Sequence, residues 1–293
     1  MEERRKKAEG RGKGLSSGLL PSSPGPGGVG IGAIVAAAGG SARMGGPSTG
    51  SGQALDKLFA HLAGRPLLAH VLGRLQDCRH VDRIVLVISS ANLQRGRDLV
   101  AEYGIDKVSA VCRGGPRRQD SVRLGLEALE PPGSAAGDWV LVHDGARLLV
   151  EPVISRGLDA AQETGAAVPA IPIADTIKMA GQDGTVDHTV DRSRLWAAQT
   201  PQVFRYDLLL RAHREVTADP STALPPRSPG GAGPGGSGDR AGFTDDAAML
   251  EALGLPVRLF AGSPLNMKVT TVEDLRLAEA LLQGAPASVS HDP

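Results

Sequence analysis

From residue 30 onward the chain alternates short apolar runs with stretches of helical spacing. The runs IGAIVAAA (31–38), RIVLVIS (83–89), DWVLVH (138–143), AAVPAIPI (166–173) and PVRLFAG (256–262) are brief and largely apolar, the pattern of strands covered on both faces. Leu67, Leu68, Val71, Leu72 and Leu75 fall on one face of a helix, and Val122, Leu126 and Leu129 do the same after RRQDS. Thr271 and Asp274 stand at capping-box spacing ahead of Leu275, Leu277, Ala278 and Leu281. Strands alternating with helices predict an α/β sandwich, with a mostly parallel central sheet and helices on both faces. Ligands of such sheets sit beyond the carboxyl ends of the strands. The loops after 31–38 and 138–143 are therefore expected to meet.

Several segments break the alternation. PSTGSGQ (47–53) reads as a flexible polar insert, and SPGGAGPGGSGDRAG (228–242), within a longer insert over 220–242, as a disordered surface loop. DTIKMAGQDGTVDHTVDR (175–192) centres on Asp183-Gly184 between TIKM and VDHTV, a hairpin pattern. Isolated hairpins are marginal in water, so this arm is expected to need a partner, and a second copy of the chain is the simplest one. Residues 1–28 offer almost nothing to bury and predict a disordered tail. The resulting organisation is one domain over 29–285 flanked by tails at 1–28 and 286–293, with no second catalytic domain expected after residue 282.

Composition narrows the function. The 293 residues carry 32 basic and 32 acidic side chains, which argues against a broad nucleic-acid surface. Two cysteines, Cys78 and Cys112, supply neither a disulfide framework nor a zinc spacing, as in a reduced cytoplasmic protein. No apolar run reaches the roughly 18 residues of a membrane span. MEERRKKAEGRGKG is followed by LSSGLLPSSPGPGG rather than by an apolar signal core.

The candidate chemistry lies at the strand ends. AIVAAAGGSARMGG (33–46) contains no G-x-G-x-x-G, and Gly46 and Pro47 stand where a P-loop needs Lys and Ser/Thr. Gly39 and Gly40 still allow the backbone to present N–H groups to an anion, with Arg43 three residues on and Lys57 beyond the polar insert. Two cations flanking a nest of amides suit a triphosphate rather than a dinucleotide. RGGPRRQDSVRLGL (113–126) repeats the theme: Gly115, Arg118 and Ser121 lead into a helix N-terminus. In VLVHDGARLLV (140–150), Asp144 is suited to ribose hydroxyls or to a metal. Taken alone, Asp144 and Arg147 read more simply as a local salt bridge.

AAAGGSARM, Lys57, GG with Arg118 and Ser121, VHDGAR, DTIK, TVDRSRLWAAQTPQVF, FTDDA and PLNMKVTTVEDL recur in order over residues 30–282. This succession resembles the 2-C-methyl-D-erythritol 4-phosphate cytidylyltransferase family of the non-mevalonate isoprenoid pathway. The resemblance implies a Rossmann-like nucleotidyltransferase fold and a homodimer with interlocked arms. It also implies transfer of a cytidylyl group from CTP, with Mg²⁺, to methylerythritol phosphate. By the same resemblance Arg43 and Lys57 stabilise the transition state, joined by Arg192 and Lys268 as further cations. Ala37, Ala38, Gly39 and Gly40 hold the nucleotide by their backbone. Gly115 and Ser121 take the base beside Arg118, and Asp144, Ala146 and Arg147 take sugar and substrate. Thr176, Arg192 and Lys268 hold the methylerythritol phosphate, the first two from the partner's arm, and Thr200 is a further site residue.

The chemistry agrees with this assignment. The nucleophile is already a phosphate oxygen, so the reaction asks for in-line positioning and neutralisation of crowded charge rather than for a serine or histidine nucleophile. Leu58 stands in place of the family's glutamine after the lysine, the insert stretches the spacing from Arg43 to Lys57, and Gly145 replaces an alanine. A cytidylyltransferase for another polyol phosphate, such as ribitol phosphate, and a catalytically silent binding homologue share many of these features.

Overall fold

All five apolar runs are strands, but the last, Arg258–Ala261, is an edge strand that is largely exposed rather than covered on both faces, with Leu259 51% accessible. The structure, a computed structural model, describes residues 30–39, 56–129, 139–148, 152–218 and 243–284. The tails and the inserts at 47–53 and 220–242 lie outside the described residues. The strands are β1 (Ile31–Ala37), β2 (His61–Leu62), β3 (Arg65–Pro66), β4 (Arg83–Ile88), β5 (Val108–Arg113) and β6 (Trp139–Asp144). They continue with β7 (Ala166–Pro172), β8 (Lys178–Ala180), β9 (Val186–Thr189), β10 (Trp196–Ala198), β11 (Gln202–Arg205) and β12 (Arg258–Ala261). The helices are α1 (Leu67–Asp77), α2 (Leu93–Glu102), α3 (Arg118–Leu129), α4 (Pro152–Ala161), α5 (Tyr206–Ala218), α6 (Ala247–Ala252) and α7 (Val272–Gly284).

Ala167 pairs with both Val203 and Arg258, and Ala170 with both Ala198 and Ala261. Strands β10 and β11 therefore lie end to end along one edge of β7, with β12 on the other. Across the sheet the order is β12, β7, β10/β11, β6, β1, β4, β5. Within it, only β10 and β11 run antiparallel to their neighbours. Alternate residues of each central strand feed two cores. Ile31, Ala33 and Val35 join Leu86, Leu141 and the apolar faces of α1, α4 and α7 on one side. Ile34, Val85, Val87, Val140 and Val142 meet α3, α5 and α6 on the other. Leu67, Leu68, Leu72 and Leu75 are wholly buried, each worth roughly 1.5–3 kcal/mol.

The cap ahead of α7 forms as the spacing predicts. Asp274 N–H donates to Thr271 Oγ1 at 3.1 Å, while Asp274 Oδ2 accepts from the Thr271 and Thr270 amides at 2.9 and 2.7 Å. Leu275 and Ala278 are buried and Leu281 half-buried, but Leu277 is 55% exposed because it falls on the outer face of the helix. The hairpin is present too. Strands β8 and β9 pair antiparallel, and Gly184 takes a φ of +81° that a side chain would resist. This arm is exposed along both strands, with Met179 and Val186 48% and 59% accessible.

Candidate functional site

The loops after β1, β5 and β6 converge at one end of the sheet. Gly114 N–H donates to the Ile88 carbonyl at 2.8 Å, and Gly145 N–H to the Ala36 carbonyl at 2.9 Å. A Cβ at Gly114 would collide with the Cβ of Ala38, so this glycine is what allows the β1 and β5 loops to touch. Ser121 Oγ accepts from Gly115 N–H at 3.1 Å and lies 3.1 Å from the Arg117 carbonyl, to which its hydroxyl can donate. The serine thereby shapes the loop entering α3.

A cavity of about 420 Å³ opens between these loops. Its walls include backbone at Ala37, Ala38, Gly39 and Gly115, with Ser121 and Ala146, and four cations: Lys57, Arg117, Arg118 and Lys268. Asp144 is the one carboxylate among the described lining residues. Lys268 Nζ lies 2.8 Å from Asp144 Oδ2, Arg118 Nη2 3.6 Å from Oδ1, and Arg147 Nε 4.0 Å from Oδ2. Burial alone would raise the Asp144 carboxyl, but Arg118, Lys268 and Arg147 outweigh it and hold it at about 2. Arg118 also contacts Asp246, which has no exposed surface. Burial works against the Arg118 charge, yet Asp246 and Asp144 raise its pKa overall. Burial raises the Asp246 carboxyl while Arg118 pulls it down; the guanidinium is in contact with it, and we take the pair as charged.

Behind Asp144 runs a buried polar chain. Asp144 N–H donates to Thr200 Oγ1 at 3.1 Å, and Thr200 Oγ1 lies 3.0 Å from His143 Nδ1. His143 Nε2 lies 3.1 Å from the Arg147 carbonyl. A carbonyl only accepts, so Nε2 carries the proton and Nδ1 accepts from the threonine hydroxyl. Burial pushes His143 down to about 4, which keeps the ring neutral. Arg147 Nη1 donates to the Asn266 carbonyl at 2.8 Å, and Asn266 Nδ2 to the Thr200 carbonyl at 2.8 Å. Val269 N–H donates to the Ala146 carbonyl at 2.7 Å. These bonds tie 143–148 to 199–200 and 266–269, and so bring Lys268 over Asp144.

Ten of the expected residues thus meet at the cavity wall: Lys57, Ala37, Ala38, Gly39, Gly115, Arg118, Ser121, Asp144, Ala146 and Lys268. Arg147 and Thr200 are buried behind it. The local contact between Asp144 and Arg147 is present, although the stronger partners of Asp144 are Lys268 and Arg118. Thr176 and Arg192 are exposed, where the chain enters and leaves the arm, outside the cavity lining. Gly40 and Arg43 lie outside the described residues. Residue patterns did not reveal Asn266 or Asp246 as builders of the site; both stand in motifs, PLNMK and FTDDA, whose recurrence was the available clue. FTDDA is fastened by Gln119 Oε1, which accepts from Phe243 N–H at 3.0 Å, and by Gln202 Oε1, which accepts from Ala247 N–H at 3.2 Å.

The family model of 2-C-methyl-D-erythritol 4-phosphate cytidylyltransferase, IspD, matches residues 31–223 and 235–284. The chain belongs to this family. Among curated cytidylyltransferases, that of Dehalococcoides mccartyi strain 195 is 44% identical over 254 residues, covering 86% of this chain and 96% of the relative. That of Pelotomaculum thermopropionicum is 41% identical over 255 residues, covering 86% and 94%. Among solved structures, a 4-diphosphocytidyl-2C-methyl-D-erythritol synthase superposes with a TM-score of 0.65 at 29% identity, covering 87% of this chain and 99% of that one. The cytidylyltransferase of Thermus thermophilus does so with a TM-score of 0.62 at 29% identity, covering 86% and 98%. The α/β sandwich expected from the strand pattern, and the nucleotidyltransferase fold that the resemblance implied, are the fold of these relatives. No helix among the described residues is long and apolar enough to cross a membrane.

Proposed function

We propose that this cytidylyltransferase moves the cytidylyl group of CTP onto 2-C-methyl-D-erythritol 4-phosphate, releasing pyrophosphate, within non-mevalonate isoprenoid biosynthesis. The observation that carries this reading is the cavity itself: glycine-rich backbone and four cations at the carboxyl ends of parallel strands. A phosphate monoester and a triphosphate repel one another, and two unit charges about 4 Å apart interact by roughly 4 kcal/mol at an effective dielectric near 20. Lys57, with Arg43, neutralises charge at the α-phosphate and on the departing pyrophosphate. Ala37, Ala38 and Gly39 offer backbone to the phosphates, with Gly40 sharing in nucleotide binding, while the loop that Ser121 holds at Gly115, with Arg118 beside it, receives the base. Asp144 and Ala146 face the sugar, with Thr200 and Arg147 holding them from behind.

The acceptor phosphate is held by Lys268 together with Thr176 and Arg192 from the arm of a partner subunit. The exposed Met179 and Val186 of the arm favour such a homodimer, working in the cytoplasm. The described residues contain no group of three or more His, Cys, Asp or Glu able to hold a metal. Asp144 is the carboxylate at the cavity wall that a Mg²⁺ carried by the triphosphate would meet. When bound, the ion supplies charge neutralisation on the triphosphate. Pyrophosphate release should be measured with CTP, ATP, GTP and UTP, and with methylerythritol phosphate against ribitol phosphate. A preference for ribitol phosphate, or silence with every pair, would overturn the reading. Lys57→Ala should slow turnover by about 10²–10³-fold.

A further inference from the structure

Lys57 reaches the cavity from a single 3-10 turn, Lys57–Phe59, and the sequence just before it is rich in glycine, serine and threonine. The turn is gripped on both sides of the lysine from a distant part of the chain. Before it, Asp56 Oδ1 accepts from Leu58 N–H at 3.1 Å, while Asp56 Oδ2 accepts from the side-chain amide of Asn92, at the start of α2. After it, the guanidinium of Arg95, in the first turn of α2, lies 3.8 Å from the centroid of the Phe59 ring. Neither Asn92 nor Arg95 lines the cavity. We propose that Asn92 and Arg95 are positioning residues for Lys57, holding the turn so that the ammonium meets the reacting phosphate.

The physical argument is one of placement. A lysine has a long flexible stem, so the reach of its ammonium depends on where its Cα is held. Leu58 and Phe59 are buried and set the depth of the turn. Burial alone leaves rotation about the chain axis open. A hydrogen bond at residue 56 and a cation over the ring at residue 59 close that freedom from both ends. Asn92 is half-buried and Arg95 exposed, so truncating either leaves the core intact. This inference rests on the role given to Lys57 above.

The test is steady-state kinetics of the full chain carrying Asn92→Ala, Arg95→Ala or both, each also combined with Lys57→Ala, alongside thermal unfolding. We expect kcat to fall on the order of tenfold for each single variant, since small misplacements of a reacting group cost up to about 10²-fold. KM for CTP and the melting temperature should stay close to the parent. In the Lys57→Ala background the same changes should cost nothing further. Parent-like kcat in the Asn92/Arg95 double variant would overturn the proposal, and so would a loss that persists undiminished without the lysine. Parent-like turnover by Lys57→Ala itself would instead remove the lysine from the mechanism, and the proposal with it.

Discussion

Acid should strip stability from this fold in a defined window, because two histidines are buried neutral. His143 and His213 have pKa values lowered from 6.5 to about 4, in both cases chiefly by burial. A lowered histidine binds its proton later in the folded state than in the unfolded one, so stability is full above the unfolded value. It then falls as pH drops from about 6.5 to about 4, and levels off once both states are protonated. Each pH unit separating the folded from the unfolded value is worth about 1.36 kcal/mol. Each ring therefore accounts for roughly 3 kcal/mol, and the two together for about 6–7 kcal/mol. That rivals the whole stability of a typical domain, about 5–15 kcal/mol. Below pH 4 the loss passes to Asp144, whose lowered carboxylate is stabilising only while ionised in the folded state.

Urea unfolding at intervals between pH 8 and pH 4 measures this directly. The slope should approach about 2.7 kcal/mol per pH unit in mid-window, the value for two protons taken up on unfolding. His143→Gln separates the contributions. A glutamine amide can donate to the Arg147 carbonyl and its oxygen can accept from the Thr200 hydroxyl, but it takes up no proton. The variant should fold, lose about 1 kcal/mol at pH 8, and show about half the parent slope. A parent whose stability is level from pH 7 to pH 4.5, or a slope untouched by His143→Gln, would refute the reasoning.

Three further outcomes follow from named contacts. Asp246→Asn leaves the largely buried Arg118 without its closest counter-charge and should destabilise the protein by roughly 3–5 kcal/mol in chemical unfolding; a loss under about 1 kcal/mol would mean the pair is not held as an ion pair. Gly114→Ala forces a Cβ against Ala38 and should cost about 1–3 kcal/mol while raising KM for CTP, because the two loops it separates form one wall of the cavity. Asp274→Ala removes the acceptor of the Thr270 and Thr271 amides at the head of α7 and should lower stability by about 1 kcal/mol, seen as a shift in thermal midpoint without change in kcat.

Local pattern carried much of this architecture, and long-range partnership explains what it left out. The β1, β4, β6 and β7 runs are legible because burial on both faces favours unbroken apolar stretches, with His143 and Asp144 entering only at the end of β6 that faces the site. The arm is legible because Asp183-Gly184 encodes its own turn. The break between β10 and β11 falls at Pro201, which has no N–H to give to a ladder; that both pieces then line the same edge of β7 is set by long-range pairing. In the site, GG and HDGAR announced backbone and charge at strand ends. His143 gave no sign of its partner, because Thr200 lies 57 residues away. Arg118 is legible in the sequence as a cation of the nucleotide site but not as half of a buried ion pair, since its carboxylate, Asp246, is 128 residues further on. Leu277 shows the limit of periodicity: two residues on from the buried Leu275, it falls on the outer face of α7 and stays exposed.

The placement of Asp144 explains how a chain of zero net charge concentrates cations where two polyanions must meet. Several cations left together in a cleft would repel one another and lose hydration, so convergence needs a counter-charge at its centre. Asp144 supplies one, within 2.8 to 4.0 Å of Lys268, Arg118 and Arg147, and the neutral His143–Thr200 chain fixes the backbone of that carboxylate without adding charge. Arg118 is further anchored by Asp246, and Arg147 by the Asn266 carbonyl, which leaves Lys268, 43% exposed along its side chain, as the cation of this cluster best able to turn to an arriving phosphate. Rigidity therefore lies behind the carboxylate and freedom in front of it. A reaction that needs charge preorganised around one substrate and delivered to another requires that division.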